Sequence, residues 1–322
     1  MTKVSIIGAG NVGATAAMKI ATMDFTDEIV LLDIKEGVAE GKAMDIMQCS
    51  IAENFLQTKI TGVTNDYSAT ENSNVIVVTS GVPRKPGMTR EDLVGINSRI
   101  VADVVEKCDQ YSPNACYIIV SNPMDTMTFH AINTLNKLHP DKNFNNSVIG
   151  MGNLLDSSRF RYFIWKKLNE VNKNINIGCI FDSWVVGGHG DTTMIPIIDM
   201  ANVFDGTIKP LKDLLSDEDI AEIVNNTMKG GSILTNLLGT SAWEAPGSCI
   251  ALTVHEILNP TNIPIPCSIY REDLGCCIGT LCYLNNGITS YHVESEISED
   301  LSEKIKISAE AIKKVNSVLQ KN

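Results

Sequence analysis

The sequence predicts an α/β protein in which a doubly wound parallel sheet is followed by an α+β domain. In the first half, short apolar runs alternate with stretches of helical periodicity, the pattern of strand–helix–strand units. The predicted strands are Val4–Ile7, Glu28–Asp33, Val75–Thr79 and Cys116–Ser121. All but the second are almost continuously apolar, which is typical of strands covered on both faces. The helices predicted between them include Asn11–Met23 and Arg99–Gln110.

The second half has a mixed pattern that begins near residue 147. A short apolar run, Ser147–Met151, leads into a helix at about Leu154–Leu168. A later strand, Cys276–Leu284, is followed by the turn sequence Asn285-Asn286-Gly287, which is typical of a hairpin. The last predicted helix begins near Ser302. The chain contains no repeat and no long linker, so the two halves are expected to pack tightly.

Size and composition limit the class of protein. The 322 residues are enough for two domains, here predicted as residues 1–146 and 147–322. Hydrophobic residues make up 44% and charged residues 20%, so a sizeable core can be buried. The formal net charge of −12 argues against a protein that binds nucleic acid or an anionic membrane, which would carry a basic face. An anionic substrate remains compatible, because a few local arginines outweigh the mean charge.

No segment of the sequence indicates export or membrane insertion. The chain passes from its first three residues into a short apolar run and then into glycines, without the features of a signal peptide. No uninterrupted apolar span has the length that crosses a bilayer, so a cytoplasmic protein without a membrane partner is expected. The nine cysteines are odd in number and lack metal-binding spacing. Small buried side chains are therefore favoured over a redox or metal role, and no metal site is predicted.

The strongest local signal is the glycine-rich segment Gly8-Ala9-Gly10-Asn11-Val12-Gly13, between the first predicted strand and the first predicted helix. Its glycines permit a tight turn and let the backbone approach a pyrophosphate, to which the helix N-terminus offers free N–H groups. Asp33 ends the next strand, 20 residues beyond Gly13, where a carboxylate accepts hydrogen bonds from ribose hydroxyls. These features predict a Rossmann-type dinucleotide site formed by Gly8, Gly10, Asn11, Val12, Gly13 and Asp33.

The dinucleotide is predicted to be NAD. The Asp33 carboxylate repels a 2′-phosphate and so disfavours NADP, although Lys35 nearby can soften that preference. The glycine-rich segment alone leaves FAD open.

Three further segments combine polar side chains with positions that suit a binding cleft. Pro83–Arg90 follows a predicted strand at the edge where α/β proteins bind ligands, although by itself it also fits a solvated basic loop. Ser121-Asn122-Pro123 ends another strand, and its asparagine can donate to a carbonyl or hydroxyl or simply form a turn. Asp156 and Arg159 share one helix face, which also fits a surface ion pair.

A fourth segment, Gly187-Gly188-His189-Gly190-Asp191, follows an apolar run around Trp184–Val186. The flanking glycines leave room for a substrate beside the imidazole, and histidine is the side chain whose ordinary pKa suits proton exchange near neutrality. The other histidines have no such setting and are interpreted as packing or surface residues: His130, His139, His255 and His292.

Together and in this order, five segments give the chain a clear resemblance to the lactate/malate dehydrogenase family. They are GAGNVG, SGVPRKPGMTRED, SNPMD, LDSSRFR and GGHGD. Within that family the chain most resembles the lactate-dehydrogenase-like malate dehydrogenases. The resemblance implies an NAD-dependent oxidoreductase that moves a hydride between the nicotinamide and a 2-hydroxy acid.

The resemblance also implies roles for individual residues. His189 would protonate the carbonyl oxygen as the hydride reaches carbon, and Asp156 would orient the imidazole. Arg159 would bind the C1 carboxylate of the substrate in a two-pronged contact, and Arg90 would polarise the carbonyl as the loop closes. Asn122 would help to hold substrate and nicotinamide. Further cofactor contacts implied by the resemblance are Asn97 and Val120.

Substrate choice depends on Arg84. The resemblance places this loop position at the far end of the substrate, where the C4 carboxylate of oxaloacetate would pair with it and the methyl group of pyruvate would not. Closing the loop over pyruvate would bury an unpaired guanidinium, at a cost of about 3–5 kcal/mol. We therefore expect a preference of about a hundredfold or more for the dicarboxylate, which favours malate dehydrogenase activity. Lactate dehydrogenase activity on the same scaffold is the alternative.

One segment departs from the family pattern. The stretch Leu238–Pro246 is one residue shorter than expected, because it lacks a second glycine after Thr240. It also contains the unusual pair Trp243 and Glu244. These departures leave open which residue of the segment faces the substrate.

Two other classes of protein fit the sequence less well. An NAD-dependent glycosidase on this fold would need cysteine and histidine metal ligands near the nicotinamide, and no such motif is evident. A non-enzymatic NAD-binding descendant would be expected to lack part of the histidine–aspartate–arginine set, which is complete here. The fold leaves apolar helix faces that pair between subunits in relatives, so a homotetramer is expected, with a dimer as the alternative.

Overall fold

The computed structural model describes residues 1–83, 88–171, 173–285, 288–291 and 298–320. The helices are α1 (Asn11–Met23), α2 (Val38–Gln48), α3 (Arg90–Asp109), α4 (Met124–Leu138), α5 (Asn153–Glu170), α6 (Asp217–Leu238), α7 (Glu244–Leu258) and α8 (Glu299–Asn316). The strands are β1 (Lys3–Ile7), β2 (Glu28–Asp33), β3 (Lys59–Thr64), β4 (Val75–Val78), β5 (Cys116–Ile119), β6 (Val148–Gly150), β7 (Ile180–Phe181), β8 (Val185–Gly187), β9 (Met194–Pro196), β10 (Asn202–Phe204), β11 (Ile208–Pro210), β12 (Ile265–Arg271), β13 (Cys276–Asn285) and β14 (Ile288–Tyr291).

Within these described ranges, eleven strands form one sheet in the order β3-β2-β1-β4-β5-β6-β12-β13-β8-β9, with β14 paired to β13. The pairs from β3 to β6 are all parallel. The chain moves outward from β1 to β3, then returns to place β4 on the other side of β1. The carboxyl ends of β1, β4 and β5 therefore meet at a switch point of the sheet, where α/β proteins bind ligands. The predicted doubly wound parallel sheet is confirmed.

The remainder of the large sheet is antiparallel. The long hairpin β12–β13 runs from the pair Ile265↔Cys282 to the pair Arg271↔Cys276. Strand β6 joins the two regions, because it is parallel to β5 and antiparallel to β12. A separate small sheet has the order β11-β10-β7. The second half is thus the predicted α+β region, but its first strand belongs to the parallel sheet.

Buried side chains cover both faces of the parallel sheet. On one face, Ile6 and Leu31 pack in a cluster with residues of α1 and α7. On the other, Ile7 and Leu32 pack in a cluster with residues of α3 and α4. Consecutive strand residues therefore enter opposite cores, which explains why these strands read as continuous apolar runs.

Three differences from the sequence prediction have a clear physical reason. Helix α3 begins at Arg90 rather than near residue 99, because Thr89 and Asp92 form a capping box with reciprocal side-chain to backbone hydrogen bonds of 3.0 Å. Strand β3 was not predicted, since it is a partly exposed edge strand with few apolar residues. Helix α8 begins at Glu299 rather than Ser302, because Ser298 caps it by accepting a hydrogen bond from the Leu301 N–H.

The cysteines are free thiols, and seven of the nine are buried, as small core side chains are. In the part of the chain that the structure describes, none of the helices combines the length and apolarity needed to span a bilayer. The turn residues Asn286 and Gly287 lie outside the described residues, although the strands on either side of them pair as predicted.

Candidate active site

A cleft of about 860 Å³ lies at the carboxyl edge of the parallel sheet. Its walls come from both halves of the chain: the glycine-rich segment, the ends of β4 and β5, α5, the segment around His189, and the connection between α6 and α7. A volume of this size accommodates a ligand of cofactor dimensions. The predicted site residues that line it are Gly10, Asn11, Val12, Gly13, Asn97, Val120, Asn122, Arg159 and His189.

The glycine-rich segment forms a turn that side chains would obstruct. Gly8 has a φ of +112°, and a Cβ at Gly13 would lie 1.9 Å from the Gly8 carbonyl oxygen. Helix α1 can therefore pack directly on the turn that follows β1. Gly10, at the N-cap of α1, has open space where a Cβ would be, and no side chain caps the helix. The uncapped first turn of α1 is thus accessible to an anion.

Asp33 supports this turn while keeping hydrogen-bonding capacity. Its Oδ2 accepts a hydrogen bond from the Ala9 N–H at 2.8 Å, and its Oδ1 accepts one from the Lys35 N–H at 2.9 Å. Each carboxylate oxygen accepts more than one hydrogen bond, so both oxygens can still take a hydroxyl donor. The residue is partly exposed at the end of β2. The carboxylate therefore both shapes the glycine turn and is available to a ribose.

Asn97 on α3 joins two connections at the edge of the cleft. Its Oδ1 accepts from the Val82 N–H at 2.8 Å, and its Nδ2 donates to the carbonyls of Val82 at 3.2 Å and Asn122 at 2.6 Å. The side chain is buried, and these bonds occupy both amide hydrogens. Asn97 therefore ties the segment after β4 to the segment after β5, a contact that sequence spacing did not reveal.

His189, Asp156 and Arg159 form a connected group in the cleft. His189 Nδ1 lies 2.7 Å from Asp156 Oδ2, and Arg159 Nη1 donates to Asp156 Oδ1 at 2.9 Å. Asp156 is fully buried, whereas His189 and Arg159 are partly exposed to the cleft. The other imidazole nitrogen, Nε2, is left for a ligand. The structure thus brings together three residues that the sequence placed in two separate segments.

The charges around His189 favour its protonated form. Burial alone would lower the pKa of the imidazole, but the charge of Asp156 and its hydrogen bond outweigh that effect. Arg159 acts in the opposite direction, and the net result is a pKa raised above the ordinary value of 6.5. An imidazolium at neutral pH is the form that can donate a proton to a substrate carbonyl.

Local geometry explains how these side chains reach each other. Asp156 lies in the first turn of α5, where the helix dipole favours a carboxylate. Gly152 immediately precedes that helix, and a Cβ there would lie 2.6 Å from His189 Cγ. Any larger residue at position 152 would therefore clash with the imidazole of His189, which packs against the start of α5. Sequence reasoning missed Gly152, because a single glycine before a helix is a common pattern.

Gly230 on α6 makes room for Arg159, because a Cβ there would lie 3.0 Å from Arg159 Cδ. A Cβ at the neighbouring Gly231 would lie 3.6 Å from the terminal nitrogens of Arg159, an ordinary contact distance. Both glycines are in the middle of α6, where each costs about 1 kcal/mol relative to alanine. Two adjacent glycines inside a helix are unfavourable, so they indicate that another side chain packs closely on that helix. The sequence prediction did not use this signal.

The short connection between α6 and α7 forms part of the cleft wall. Thr240, Ser241, Ala242 and Trp243 line the cleft, and α7 begins at Glu244. The sequence left open which residue of the stretch Leu238–Pro246 faces the substrate, and these four residues are the candidates from the connection.

The other two predicted substrate-binding residues belong to the connection between β4 and α3. Arg84 lies outside the described residues. Arg90 is the first residue of α3, at the end of the connection that follows β4.

Comparison with known families covers both halves of the chain. Residues 2–145 match the lactate/malate dehydrogenase NAD binding domain, and residues 154–321 match the lactate/malate dehydrogenase alpha/beta C-terminal domain.

Individual relatives match this chain over almost its full length. The malate dehydrogenase of Bacteroides fragilis is 47% identical over 99% of this chain and 98% of that protein, and the malate dehydrogenase of Flavobacterium frigidimaris is 45% identical with the same coverage. The solved malate dehydrogenase of Salinibacter ruber has a TM-score of 0.88 at 35% identity, covering 99% of this chain and 98% of that one. A Cryptosporidium parvum lactate dehydrogenase, complexed with lactic acid and nicotinamide adenine dinucleotide, has a TM-score of 0.87 at 28% identity, covering 100% and 98%. The chain therefore belongs to the lactate/malate dehydrogenase family.

Proposed function

We propose that this protein catalyses the NAD-dependent interconversion of malate and oxaloacetate. The observation that carries the proposal is the position of Arg159, which lines the cleft beside His189, is partly exposed there and uses Nη1 to donate to Asp156. A guanidinium has five N–H donors, so donors remain for the carboxylate of a ligand that enters the cleft. An acid–base histidine next to an arginine with donors to spare suits a 2-oxo acid.

The cleft also fits the proposed cofactor. The uncapped N-terminus of α1 and the open space at Gly10 suit a pyrophosphate, and Asp33 suits the ribose hydroxyls of NAD. NAD, when bound, supplies or accepts the hydride. Further cofactor contacts proposed for this chain are those of Gly8, Asn11, Val12, Gly13, Asn97, Val120 and Asn122.

The residues of the chain manage the proton and the substrate charges. In oxaloacetate reduction, C2 gains a hydride and its oxygen gains the proton that His189 releases from Nε2, since Asp156 holds Nδ1. Asp156 fixes the ring and stabilises its charged form, and the reverse reaction returns the proton to His189. Arg159 binds the C1 carboxylate. The proposed roles of Arg90 and Asn122 at the carbonyl follow from the family resemblance.

Lactate dehydrogenase activity is the second candidate. The fold of this chain matches a solved lactate dehydrogenase almost as closely as it matches solved malate dehydrogenases. Overall architecture therefore does not select the substrate, and the choice rests on the residues around its far end.

The purified protein is expected to reduce oxaloacetate with a kcat/KM about a hundredfold or more above that for pyruvate. Arg84→Gln should lower this ratio by about tenfold or more, because the C4 carboxylate then loses its charged partner. Steady-state NADH oxidation with both substrates measures the ratio. Lys85→Gln removes a positive charge from the same segment and serves as the matched control. A larger kcat/KM for pyruvate would select the second candidate, and an unchanged ratio in Arg84→Gln would contradict the role of Arg84.

Asp33→Asn is expected to weaken the preference for NADH over NADPH by about tenfold or more. The substitution removes the charge that repels a 2′-phosphate. The amide oxygen can still accept one of the two backbone N–H groups that Asp33 binds, and the other, from Ala9 or Lys35, loses its acceptor. Fluorescence titration with the two reduced cofactors measures the preference. Asp24→Asn removes a carboxylate from the far end of α1 and is the control. An equal preference in Asp33→Asn and the unchanged protein would contradict the assignment of Asp33.

We further propose a functional division into an NAD-binding region, residues 1–146, and a catalytic region, residues 147–322.

We also propose that the protein forms a homo-oligomer. Large apolar side chains that are exposed on helices and their connections support this proposal: Met44, Ile51, Leu56, Leu237, Leu238 and Leu252.

A further inference from the structure

Asp125 is a buried carboxylate behind His189 that the proposed reaction does not use. It lies in the first turn of α4 and is 7% exposed. Its Oδ2 accepts a hydrogen bond from the backbone N–H of His189 at 2.7 Å. Its Oδ1 accepts one from Ser268 Oγ on β12, also at 2.7 Å. The residue therefore connects the parallel sheet region, the antiparallel hairpin and the backbone of the candidate acid.

This carboxylate has no basic partner among the ion pairs of the described residues. The pKa of Asp125 is raised, chiefly by burial and to a smaller degree by the charge of Asp156, whereas the bonds from Ser268 and from the His189 backbone and the charge of His189 oppose that shift. The thiols of Cys276 and Cys277 on β13 also lie near it, but burial raises their pKa values, that of Cys276 to about 12, so they are neutral. Both oxygens of Asp125 accept hydrogen bonds, as those of an ionised carboxylate do, and its ionised form is further supported by the charge of a protonated His189. Burying a carboxylate without an ion-pair partner is otherwise unfavourable for stability, which suggests a role for it.

Other buried polar groups brace the same backbone without adding charge. Asn153 Nδ2 donates to the Gly187 carbonyl at 2.8 Å. Ser308 Oγ on α8 accepts from the Gly188 N–H at 2.9 Å and donates to the Thr193 carbonyl at 2.8 Å. These contacts hold the segment that carries His189 from two further elements. Asp125 differs from them because it is titratable, and its ionised form brings a negative charge close to the imidazole.

We propose that Asp125 is a positioning residue for His189, which fixes the backbone that carries the imidazole and favours the protonated ring through its charge. The charged groups that act on this ring are Asp156 and Arg159 from α5 and Asp125 from α4. Asp156 holds the ring itself, whereas Asp125 holds the main chain, so the two carboxylates act on different atoms of one residue. This inference rests on the proposed function of His189 as the proton donor.

Asp125→Asn separates the charge from the hydrogen bonds. The amide oxygen can accept the His189 N–H, and the amide nitrogen can donate to Ser268 Oγ. We expect the pKa of His189 to fall by about half a unit or more, because one of the two nearby negative charges is lost. Reduction needs the protonated ring and declines as the pH rises through its pKa, so the alkaline limb of kcat/KM for oxaloacetate should move to lower pH by the same amount.

Asp125→Ala removes the acceptor as well as the charge. Below the pKa of His189, we expect kcat to fall about tenfold or more, with a KM for oxaloacetate within about threefold of that of the unchanged protein, since Arg159 is untouched. At the same pH, Asp125→Asn should keep kcat within about threefold. A kcat for Asp125→Ala equal to that of the unchanged protein would overturn the proposal.

The pKa of His189 is measured by NMR titration of protein labelled with ¹³C at histidine Cε1, with the signal assigned from His189→Asn. Ser308→Ala is the matched control, because it loosens the same segment and changes no charge, and its His189 pKa should stay unchanged. An unshifted pKa in Asp125→Asn, or an equal shift in Ser308→Ala, would overturn the proposal. Asp125→Ser provides a second neutral variant with the same expected pKa shift if the asparagine variant does not fold. The titration does not require turnover, so absence of oxaloacetate reduction by the unchanged protein would count against the proposed function alone.

Discussion

Replacing His189 with asparagine is expected to lower kcat for oxaloacetate reduction by about a thousandfold, because the variant has no side chain that can donate a proton at the carbonyl oxygen. The binding of NADH should change little, since the contacts proposed for the cofactor lie mainly at the glycine-rich turn and Asp33. Steady-state kinetics with saturating NADH and oxaloacetate measures the first quantity, and fluorescence titration measures the second.

The chain offers a matched control for this substitution. His139 Nε2 lies 2.6 Å from Asp109 Oδ2, so it forms a second histidine–aspartate pair at the ends of α4 and α3. His139→Asn should leave kcat within about threefold, although it can lower thermal stability. If His189→Asn retained a tenth or more of the original kcat, the assignment of His189 as the acid would be wrong.

Replacing Arg159 with methionine is expected to reduce kcat/KM for oxaloacetate by about 30-fold to several thousandfold. Truncating one partner of a buried hydrogen-bonded charge pair costs about 2–5 kcal/mol, and here the substrate C1 carboxylate would be left without its partner. Most of the loss should appear in KM, because Arg159 binds the substrate before and during hydride transfer. Initial-rate measurements over a wide range of oxaloacetate concentration separate kcat from KM.

Arg161 provides the control for Arg159. It lies two residues further along α5 and donates from Nε to Ser183 Oγ at 3.1 Å, away from the Asp156–His189 pair. Arg161→Met is therefore expected to keep kcat/KM within about threefold. Equal losses in the two variants would indicate that charge on α5, rather than direct contact with the substrate, explains the effect of Arg159→Met.

The elements that the sequence predicted well are those whose position depends on one strong local pattern, such as a glycine turn or a continuous apolar run. Helix α1 was predicted with its observed bounds, because the glycine turn fixes its start. Strands β1, β4 and β5 are buried on both faces, so their apolar runs were unambiguous. Edge strand β3 has no such run: it is only partly buried, and at Gly62 a Cβ would lie 2.2 Å from the Ala39 carbonyl oxygen, so α2 packs closely on it there. That packing is a tertiary contact, which a linear pattern does not contain.

The candidate site shows the same limit. The pair Asp156 and Arg159 also allowed an ordinary structural interpretation as a surface ion pair, and only the family resemblance joined it to His189. The structure supplies the distances between them, adds Gly152 and Asp125 to the site and shows that Asn97 bridges two connections. These residues act through contacts between elements that are far apart in the chain, as in the 64-residue separation of His189 and Asp125. Such contacts depend on topology, and local residue preferences do not encode them.

Strand β6 has a consequence for how the molecule can be divided. It follows directly after residue 146, yet it pairs with β5 on one side and β12 on the other. A fragment that ended at residue 146 would leave β5 with an open, hydrogen-bonding edge and remove the cover from a fully buried strand. The proposed NAD-binding region therefore depends on β6 to cover the edge of β5, and an exchange of the two halves would have to preserve the pairing of β6 with both β5 and β12.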